Sequence, residues 1–566
     1  MREDEEPRIG VFVCHCGVNI SAVVNVPEVV EYAKTLPNVI HAEGNLYTCS
    51  SDGLSKIKEA IKKHKLNRVV VASCTPRTHE PLFRDACEEA ELNKYLFHMA
   101  NIREHCSWVH PKEPKKATEK AKETVRMAVA KAALLEPQEE PEIDIEPSAL
   151  VIGGGVAGMT AALSLANQKF TVHLVEKGGE LGGKLTELYK LYPNERYSSE
   201  ILEEFVQAVR SNPNITVYTS STVKRSEGFI GNFKVVVNHD GKEKDLDVGT
   251  IIVATGADVL KPNHMYRYGE CKNILTQLEL EQLMKEKKLG KPQNVVMIQC
   301  VGAREEKEGG RNYCSRICCA IAVKNALQIK ELLPETEVSI IYRDMQTYGK
   351  DFEEYYKKAR ENFVQFIRYD AETPPEVFTR PDGKLGVRVH DILVNATLEL
   401  DTDLVVLSTP LVQSDGAQDL SKILKVPLGA DGFFLEAHVK LRPVDFATDG
   451  VFVCGTAHSP KTIAETIAQA YAAASRAGIP MAVKRVRTEA ITAFVDESKC
   501  TGCGICTKLC PYNAIQKDER GVARVNDVLC KGCGVCAASC PEKAIGMRHF
   551  SDAQVLAEAT AALGGS

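Results

Sequence analysis

The sequence predicts an α/β multidomain protein with a small α+β module near its C-terminal end. Short β-rich runs alternate with amphipathic helices over residues 8–110 and again over residues 148–488, which is typical of parallel sheets. A glycine-rich turn joins a strand to a helix where the second region begins. Residues 492–548 carry two copies of one cysteine pattern, which indicates a duplicated, sulfur-rich module.

Composition and charge exclude several classes of protein. The chain has 566 residues, enough for several domains, with 44% apolar residues, 26% charged residues and a net charge of −6. This balance argues against a nucleic acid or an anionic membrane surface as a partner. No apolar run reaches the length of a membrane span, and the acidic start MREDEEPRIG is unlike a signal peptide. We therefore expect a cytoplasmic protein whose 20 cysteines bind metal or carry redox chemistry rather than form disulfides.

The order of these patterns divides the chain into five segments. Strand-like runs at Ile9–Val13, Arg68–Ala72 and Tyr95–Met99 belong to the first, and Ala117–Leu135 is predicted to form one long helix before the acidic linker Pro137–Pro147. The expected segments are an α/β domain (1–115), a helix and linker (116–147), a larger α/β domain (148–488), the cysteine module (489–550) and a C-terminal tail (551–566).

The two cysteine runs of the module predict a pair of 4Fe–4S clusters. Each run has the spacing C-x2-C-x2-C-x3-C-P, in which three thiolates bind one cluster and the fourth binds the other cluster. The first cluster is assigned Cys500, Cys503, Cys506 and Cys540, and the second Cys530, Cys533, Cys536 and Cys510. A zinc site would use CxxC pairs and leaves the repeated Cys-Pro ending unexplained. The module therefore predicts one-electron transfer.

The glycine-rich turn predicts a dinucleotide site. It follows the strand Ser148–Ile152, opens a helix, and is completed by Glu176 at the end of the next strand. Such glycines let the backbone approach a pyrophosphate at a helix N-terminus, and the acid accepts hydrogen bonds from the ribose. The residues expected at this site are Gly153, Gly155, Val156, Ala157, Gly158, Glu176 and Lys177.

Three further glycine-containing pieces extend this pattern at Gly178–Lys184, Ala254–Gly256 and Gly455–Thr456. Together the four pieces resemble the two-dinucleotide-binding-domain flavoproteins, of which thioredoxin reductase is the familiar member. A single Rossmann domain for NAD would not account for all four. The resemblance implies FAD, with further contacts from Gly182, Gly183, Lys184, Val223, Ala254, Thr255, Gly256, Gly455, Thr456 and Lys461. The family usually has an aspartate where this chain has Thr456, so backbone amides and Lys461 are expected to replace it.

Cysteines occupy the part of the sequence in which those flavoproteins carry a second glycine turn, the one that binds NAD(P)H. After the strand Asn294–Ile298, the chain continues with the turn Gln299–Arg304 instead. Four potential ligands follow within a short stretch: Cys300, Cys314, Cys318 and Cys319. A third 4Fe–4S cluster, a catalytic dithiol and inert buried thiols all remain open, and we favour the cluster. The dithiol is disfavoured because the family's CxxC is absent from this domain and adjacent cysteines bridge only with strain.

The N-terminal α/β domain also places cysteines at the ends of its predicted strands. The carboxyl ends of parallel strands share one edge of a sheet, so these side chains are expected to converge there. A fourth cluster is predicted from four of the five residues Cys14, Cys16, Cys49, Cys74 and Cys106. Cys87, Cys271 and Cys454 are interpreted as small buried thiols without a redox role.

The order of these sites and phrases such as VCHCGVNI, ASCTPRTHEP, IQCVGAREE and CSRICC closely resemble the A subunits of heterodisulfide reductases, over residues 8 to 548. The resemblance implies that FAD splits electron pairs between one-electron routes, by bifurcation or confurcation. It implies as partners the B and C subunits, ferredoxin, and an electron-input subunit of hydrogenase, formate dehydrogenase or flavin type, with the chain as a homodimer. Longer members carry a second ferredoxin domain inserted in the flavin region. Residues 185–270 contain no cysteine, so that insert is absent here and simple electron relay gains weight.

Two other functions are compatible with the same residues. One is a stand-alone NAD(P)H:ferredoxin-type oxidoreductase, like the flavin and iron–sulfur subunit of glutamate synthase. The other is a non-catalytic scaffold that only conducts electrons. The first requires a nicotinamide site, against which the turn at Cys300 argues.

Overall fold

The computed structural model describes residues 6–564, apart from the side chain of Thr78, and divides into two compact units. Unit 1 combines the residues up to Glu142 with those from Arg487 onward, and unit 2 comprises Ile143–Val486. The N-terminal α/β domain and the cysteine module, expected as separate domains, therefore belong to one compact unit. No helix in the described part of the chain is long and apolar enough to cross a bilayer.

The N-terminal part of unit 1 is a four-stranded parallel sheet flanked by helices. Its elements are β1 (Ile9–Cys14), α1 (Val26–Ala33), β2 (Val39–Asn45), α2 (Ser51–His64), β3 (Arg68–Ser73), α3 (Pro76–Glu89), β4 (Phe97–Asn101) and α4 (Pro114–Ala133). The strand order is β2-β1-β3-β4, and every residue of β1 and β3 is buried. Both strands are mostly apolar, apart from Arg68 and Ser73 at the ends of β3, because helices cover both faces of a parallel sheet. A single turn of π-helix, Arg103–Ser107, follows β4.

Unit 2 contains two five-stranded parallel sheets. Within the predicted linker lies β5 (Glu142–Asp144), at the boundary between the units. The first sheet has the order β23-β12-β6-β7-β8. Its part of the chain comprises β6 (Ser148–Ile152), α5 (Val156–Asn167), β7 (Thr171–Val175), α6 (Ser198–Ser211), β8 (Ile215–Tyr218), β9 (Ser221–Phe229), β10 (Asn232–His239), β11 (Lys242–Val248), β12 (Thr250–Val253) and β13 (Ala257–Val259).

The second parallel sheet has the order β14-β21-β15-β16-β17. Its elements are β14 (Ile274–Thr276), α7 (Gln277–Lys285), β15 (Asn294–Ile298), α8 (Cys318–Leu332), β16 (Glu337–Tyr342), α9 (Phe352–Glu361), β17 (Gln365–Arg368), β18 (Glu376–Thr379), β19 (Leu385–Asp391), β20 (Ala396–Thr402) and β21 (Leu404–Leu407). The chain then returns to the first sheet through β22 (Leu411–Gln413), α10 (Ala417–Leu424), β23 (Val451–Val453), α11 (Ile463–Val483) and β24 (Arg485–Arg487). Antiparallel three-stranded sheets, β11-β10-β9 and β18-β19-β20, accompany the two parallel ones.

The cysteine module completes unit 1. It consists of β25 (Ala493–Val495), α12 (Ile505–Leu509), β26 (Ile515–Lys517), β27 (Ala523–Val525), α13 (Val535–Ala538) and β28 (Ile545–Met547), followed by α14 (Asp552–Ala562). Strands β25 and β28 pair antiparallel, as do β26 and β27. The predicted tail is thus largely helical and packs on α4, where Arg126 Nε donates to the Ala561 carbonyl at 2.8 Å. Arg84 bridges α3 to Glu489 at 3.1 Å, which further joins module and N-terminal sheet.

Candidate redox centre

Unit 2 contains a cavity of about 690 Å³ at the carboxyl ends of β6, β7 and β12. Its size and position are those of a cofactor site at the edge of a parallel sheet. Most of the residues predicted to contact the dinucleotide line it. They are Gly153, Gly155, Val156, Ala157, Glu176, Lys177, Gly182, Gly183, Lys184, Ala254, Thr255, Gly256, Thr456 and Lys461.

The glycine turn after β6 leaves room for a phosphate group against the backbone. Gly153 has a φ of +114°, and a Cβ there would lie 2.3 Å from the Ala254 carbonyl oxygen. A Cβ on Gly158 would lie 1.7 Å from the Gly153 oxygen, so this glycine serves close helix–strand packing. A Cβ on Gly155 would instead point into open space, with Gly183 Cα at 4.0 Å. Since α5 begins at the next residue, its first amides face the position that a pyrophosphate needs.

Glu176 holds two loops of the cavity together. One carboxylate oxygen accepts from the Gly154 amide at 2.5 Å and the other from the Gly178 amide at 2.6 Å. The carboxylate therefore stands at the cavity wall in a fixed orientation, next to the glycine turn where a ribose would lie.

Three predicted contacts do not line the cavity. Val223 lies in β9 with 8% of its surface exposed and packs in the core of the first sheet. Gly158 packs against Gly153, as described above. The Gly455 amide donates to Gln469 Oε1 at 3.0 Å, and a Cβ there would lie 2.7 Å from the Ala157 side chain. These glycines therefore shape the site without bordering it.

The cavity wall that includes Thr456 also contains a buried lysine, Lys461. Lys461 Nζ donates to Ser459 Oγ at 2.8 Å and lies 3.4 Å from His458 Nδ1. The other ring nitrogen of His458 lies 2.7 Å from Glu436. Burial, followed by the charge of Arg316, lowers the pKa of Lys461 to about 8, while Glu465, Cys454 and Glu436 oppose the shift. The cavity wall thus carries a titratable cation, while Thr456 stands where the family usually has its aspartate.

An ion pair that the sequence patterns did not predict lies deeper in the cavity. Lys324 Nζ is 2.6 Å from Glu281, and both side chains are at most 2% exposed. Lys324 also donates to the Lys190 carbonyl at 2.9 Å, while Glu281 accepts from the Tyr189 amide at 3.1 Å. Burial lowers the pKa of Lys324, and Glu281 opposes that shift. The signal in the sequence is a lysine within the buried helix α8, where an unpaired cation would be costly.

The four cysteines near residue 300 come together beside this cavity. Cys300 follows β15 in a left-handed conformation with a φ of +62°, and α8 begins with Cys318 and Cys319. Two backbone hydrogen bonds close the loop between them: the Arg304 amide donates to the Tyr313 carbonyl at 3.2 Å, and the Glu305 amide donates to the Arg311 carbonyl at 2.9 Å. The closed loop brings Cys314 back towards Cys300. Burial raises the pKa of Cys318, and the other three sulfurs raise it further. Such a group of thiols suits a cluster, whose iron stabilises the thiolate form.

Cys318 belongs both to the cavity wall and to the group of four cysteines. Its side chain lines the cavity, and its sulfur lies 3.6 Å from the Thr409 carbonyl. Burial raises the pKa of the adjacent Cys319 to about 12, with Cys300 and Cys314 adding to the rise. Both thiols are free. The sulfur site therefore adjoins the position predicted for the flavin.

In unit 1 the structure brings four of the five N-terminal cysteines together. The pKa values of Cys16, Cys49 and Cys74 are raised by burial first and then by neighbouring sulfurs, and Cys14 is among those neighbours in each case. Cys106 lies apart from this group: its sulfur is 3.5 Å from Thr124 Oγ1 on α4, and its charged neighbours are Lys120 and Glu123. The candidate ligands are therefore Cys14, Cys16, Cys49 and Cys74.

The cysteine module has two small cavities, each lined by four thiols. The first contains Cys500, Cys503, Cys506 and Cys540, and the second Cys510, Cys530, Cys533 and Cys536. This is the crossed grouping that the spacing predicts. Backbone amides donate to three of the sulfurs: Ala514 to Cys510 and Ala544 to Cys540 at 3.3 Å, and Ala493 to Cys530 at 3.4 Å. Within residues 6–564, no group of three His, Cys, Asp or Glu side chains surrounds a single ion position. In a cubane each thiolate binds a different iron, so convergence on one point is not required.

Comparisons with known proteins agree with both parts of this architecture. Residues 147–477 match the family model described as pyridine nucleotide-disulphide oxidoreductase, and residues 493–547 match the 4Fe-4S dicluster domain. The A subunit of the H(2):CoB-CoM heterodisulfide,ferredoxin reductase of Methanothermobacter marburgensis is 43% identical, over 99% of this chain and 98% of its own length. The iron-sulfur A subunit of the CoB--CoM heterodisulfide reductase of Methanocaldococcus jannaschii is 40% identical, over 97% and 98%. The chain belongs to the family of heterodisulfide reductase A subunits.

Members of this family are oxidoreductase subunits, and the chain is accordingly a flavoprotein with FAD and 4Fe–4S clusters. The alignment with the Methanothermobacter relative spans 649 positions, more than the 566 residues of this chain, so that relative carries sequence without a counterpart here. Among solved structures, Lactococcus lactis thioredoxin reductase matches with a TM-score of 0.43 and 17% identity, over 59% of this chain and 99% of that one.

Substitutions at the N-terminal sulfur site distinguish the candidate ligands from Cys106, which lies apart from them. We expect Cys74→Ser to remove about four iron atoms per chain, because a cubane rarely survives on three protein thiolates. Cys106→Ser is the matched control and should keep all the iron, since its sulfur contacts Thr124 rather than the other cysteines. Anaerobic iron analysis of both variants measures this. Loss of iron from Cys106→Ser alone would contradict the assignment.

Proposed function

We propose that the chain exchanges electron pairs at FAD for single electrons on 4Fe–4S clusters, as the A subunit of a heterodisulfide-reductase-type complex. The observation that carries this proposal is the position of Cys318. Its thiol lines the cavity with the dinucleotide turn and also joins the group formed with Cys300, Cys314 and Cys319. A cluster held there would lie next to the flavin, which is where the first one-electron acceptor is needed.

The residues of the cavity have separable roles in this proposal. Bound FAD supplies the exchange between two-electron and one-electron chemistry. The Gly153–Gly158 turn and the start of α5 would hold its pyrophosphate, and Glu176 would orient its ribose. Lys461 and the pair Lys324–Glu281 place fixed charges on a wall that is largely closed to water, where they act strongly on the charge of a bound group.

The clusters provide the routes for single electrons. We propose that the Cys300 group, the Cys14 group and the two clusters of the module give four 4Fe–4S centres in all. In the assembled complex this arrangement supports bifurcation or confurcation, and in any case relay of single electrons. The names of the relatives support redox partners of this kind, since they include ferredoxin, hydrogen and formate. By that likeness the partners are the B and C subunits, ferredoxin and an electron-input subunit, in a cytoplasmic complex containing two copies of the chain.

Metal and flavin analysis tests the cofactor content. Anaerobically purified protein should contain about sixteen iron atoms, from four cubanes, and about one FAD per chain. A value near eight iron atoms would leave only the module and contradict both of the other sulfur sites. Comparison with the apoprotein after chelation provides the baseline.

We expect neither NADH nor NADPH to reduce the flavin at a catalytic rate. At the turn that would cradle the nucleotide, a Cβ on Gly302 would lie 2.6 Å from Leu260, so this glycine serves internal packing. Stopped-flow measurement of flavin absorbance after mixing checks this, with dithionite as the positive control. Rapid stoichiometric bleaching by either nucleotide would instead favour the stand-alone oxidoreductase. A non-catalytic scaffold predicts that the complex keeps its turnover when the chain carries no FAD.

A further inference from the structure

One guanidinium lies against the sulfur site beside the cavity. Burial raises the pKa of the Cys300 thiol, and the charge and hydrogen bond of Arg304 oppose that rise. The same charge opposes the raised pKa of Cys319. Arg304 also donates to Asp344 at 2.8 Å, which fixes the orientation of its side chain. The backbone carbonyl of Asp344 lies 3.7 Å from Cys319 Sγ, so this ion pair holds the charge of Arg304 beside the sulfur site.

The surroundings of Arg304 keep the site positive. Arg368 bonds to the other oxygen of Asp344 at 3.0 Å. Arg343 donates to the Arg304 carbonyl at 3.1 Å, and its charge also opposes the raised pKa of Cys300. Asp344 therefore pairs with two guanidiniums, those of Arg304 and Arg368, and the charge of Arg343 adds a third near Cys300. An excess of positive charge at such a site favours the more negative state of whatever binds there.

Unit 1 repeats this arrangement at its own sulfur site. The Ile102 amide donates to the Ser73 carbonyl at 2.9 Å, so Arg103 and Cys74 follow adjacent strand ends. The charge of Arg103 opposes the raised pKa of Cys16, and its side chain pairs with Glu104 at 2.6 Å and lies 4.7 Å from the centre of the Trp108 ring. Cys16 has a φ of +42°, so it is left-handed like Cys300. The module differs, because the sulfur bonds described there come from backbone amides, which carry no net charge.

We propose that Arg304 and Arg103 are positioning residues that raise the reduction potentials of the clusters at these two sites above those of the module. Reduction adds one negative charge to a cluster, and a charged hydrogen-bond donor at a ligating sulfur stabilises that state. The inference rests on the proposed function, since it requires clusters at both sites. A raised potential would make the site beside the cavity the favoured first acceptor of a single electron.

The test is an anaerobic redox titration of the full-length protein followed by EPR. The signal of the site beside the cavity is defined as the one lost in Cys318→Ala. In Arg304→Gln we expect the equilibrium constant for its one-electron reduction to fall about tenfold, which corresponds to about 59 mV. Arg304→Lys keeps the positive charge but lacks the planar set of guanidinium donors. Its reduction potential should therefore lie between those of Arg304→Gln and the unaltered protein. Arg103→Gln should shift only the signal of the unit 1 site, and the module's signals serve as an internal reference in every sample.

Arg368→Gln is the matched control, because it removes the guanidinium on the other oxygen of the same carboxylate while Arg304 keeps its own bond to Asp344. It should shift the signal much less than Arg304→Gln. If Arg304→Gln loses its cluster, Arg103→Gln decides: an unchanged potential of the unit 1 signal in that variant overturns the inference. Full iron content with unchanged potentials in both Arg304 variants overturns it while leaving the proposed function intact. If Cys318→Ala removes neither iron nor a signal, the proposed function falls and this inference falls with it.

Discussion

Cys318→Ala should lower the iron content from about sixteen to about twelve atoms per chain while leaving FAD bound. The four thiols beside the cavity would lose the one that also lines it, and three are rarely enough to retain a cubane. FAD should remain because the Gly153–Gly158 turn and Glu176 are unaltered. Electron exchange between the flavin and the remaining clusters should slow sharply, while the EPR signals of the module persist.

Iron content decides between the interpretations of this site. Cys271→Ala is a suitable control, because this free, half-buried thiol packs against the core of the second sheet in the same unit. It should keep full iron and full electron exchange. If Cys318→Ala kept all its iron and lost only thiol-dependent turnover, the catalytic dithiol would replace the cluster as the better interpretation.

The second large effect is expected from Lys324→Met. The substitution leaves the Glu281 carboxylate buried without its cation, which typically costs about 3–5 kcal/mol. Unit 2 should therefore lose flavin at a lower denaturant concentration, measured by the rise of flavin fluorescence. Loss of the positive charge from the cavity wall should also change the visible spectrum of the FAD that stays bound.

Two further variants test whether the unpaired carboxylate of Glu281 causes the loss of stability in Lys324→Met. The double variant Lys324→Met with Glu281→Leu removes both charges and should recover much of the lost stability, since an apolar pair can replace a buried ion pair. Lys288→Met breaks an exposed ion pair with Glu286 and should change little. A double variant as unstable as the single one would show that the buried carboxylate is not responsible.

Local patterns predicted much of this molecule. The fold class is confirmed, and its parallel sheets follow from runs of buried β-branched residues joined by amphipathic helices. The spacing of the module's cysteines already implies their crossed grouping, because ligand spacing in such a module is set by the cubane itself. The glycine turn was recognisable because its conformations exclude other residues.

Features that depend on distant contacts were not predictable. Cys106 appeared equivalent to the other strand-end cysteines, but the π-helical turn Arg103–Ser107 carries its sulfur to Thr124 on α4. Lys324 and Glu281 lie on different helices and meet only in the folded unit. Val223 was expected from family resemblance alone and packs in the core instead. The single unit formed by the N-terminal sheet and the module depends on contacts such as Arg84 with Glu489.

The split composition of unit 1 has a consequence for how the chain matures on the ribosome. Unit 2 is continuous, so all of its residues have been translated before Arg487 is reached, and it can fold as one piece. Unit 1 must wait, because α4 receives its packing partner α14 from the last residues to be made, with Gln554 bonding to the Leu134 carbonyl at 2.9 Å. A nascent chain stalled in the module would thus present a finished flavin unit together with an N-terminal sheet whose outer helix is bare. The surface of α4 that α14 covers in the complete chain would be exposed in such a species, where chaperones and proteases could recognise it.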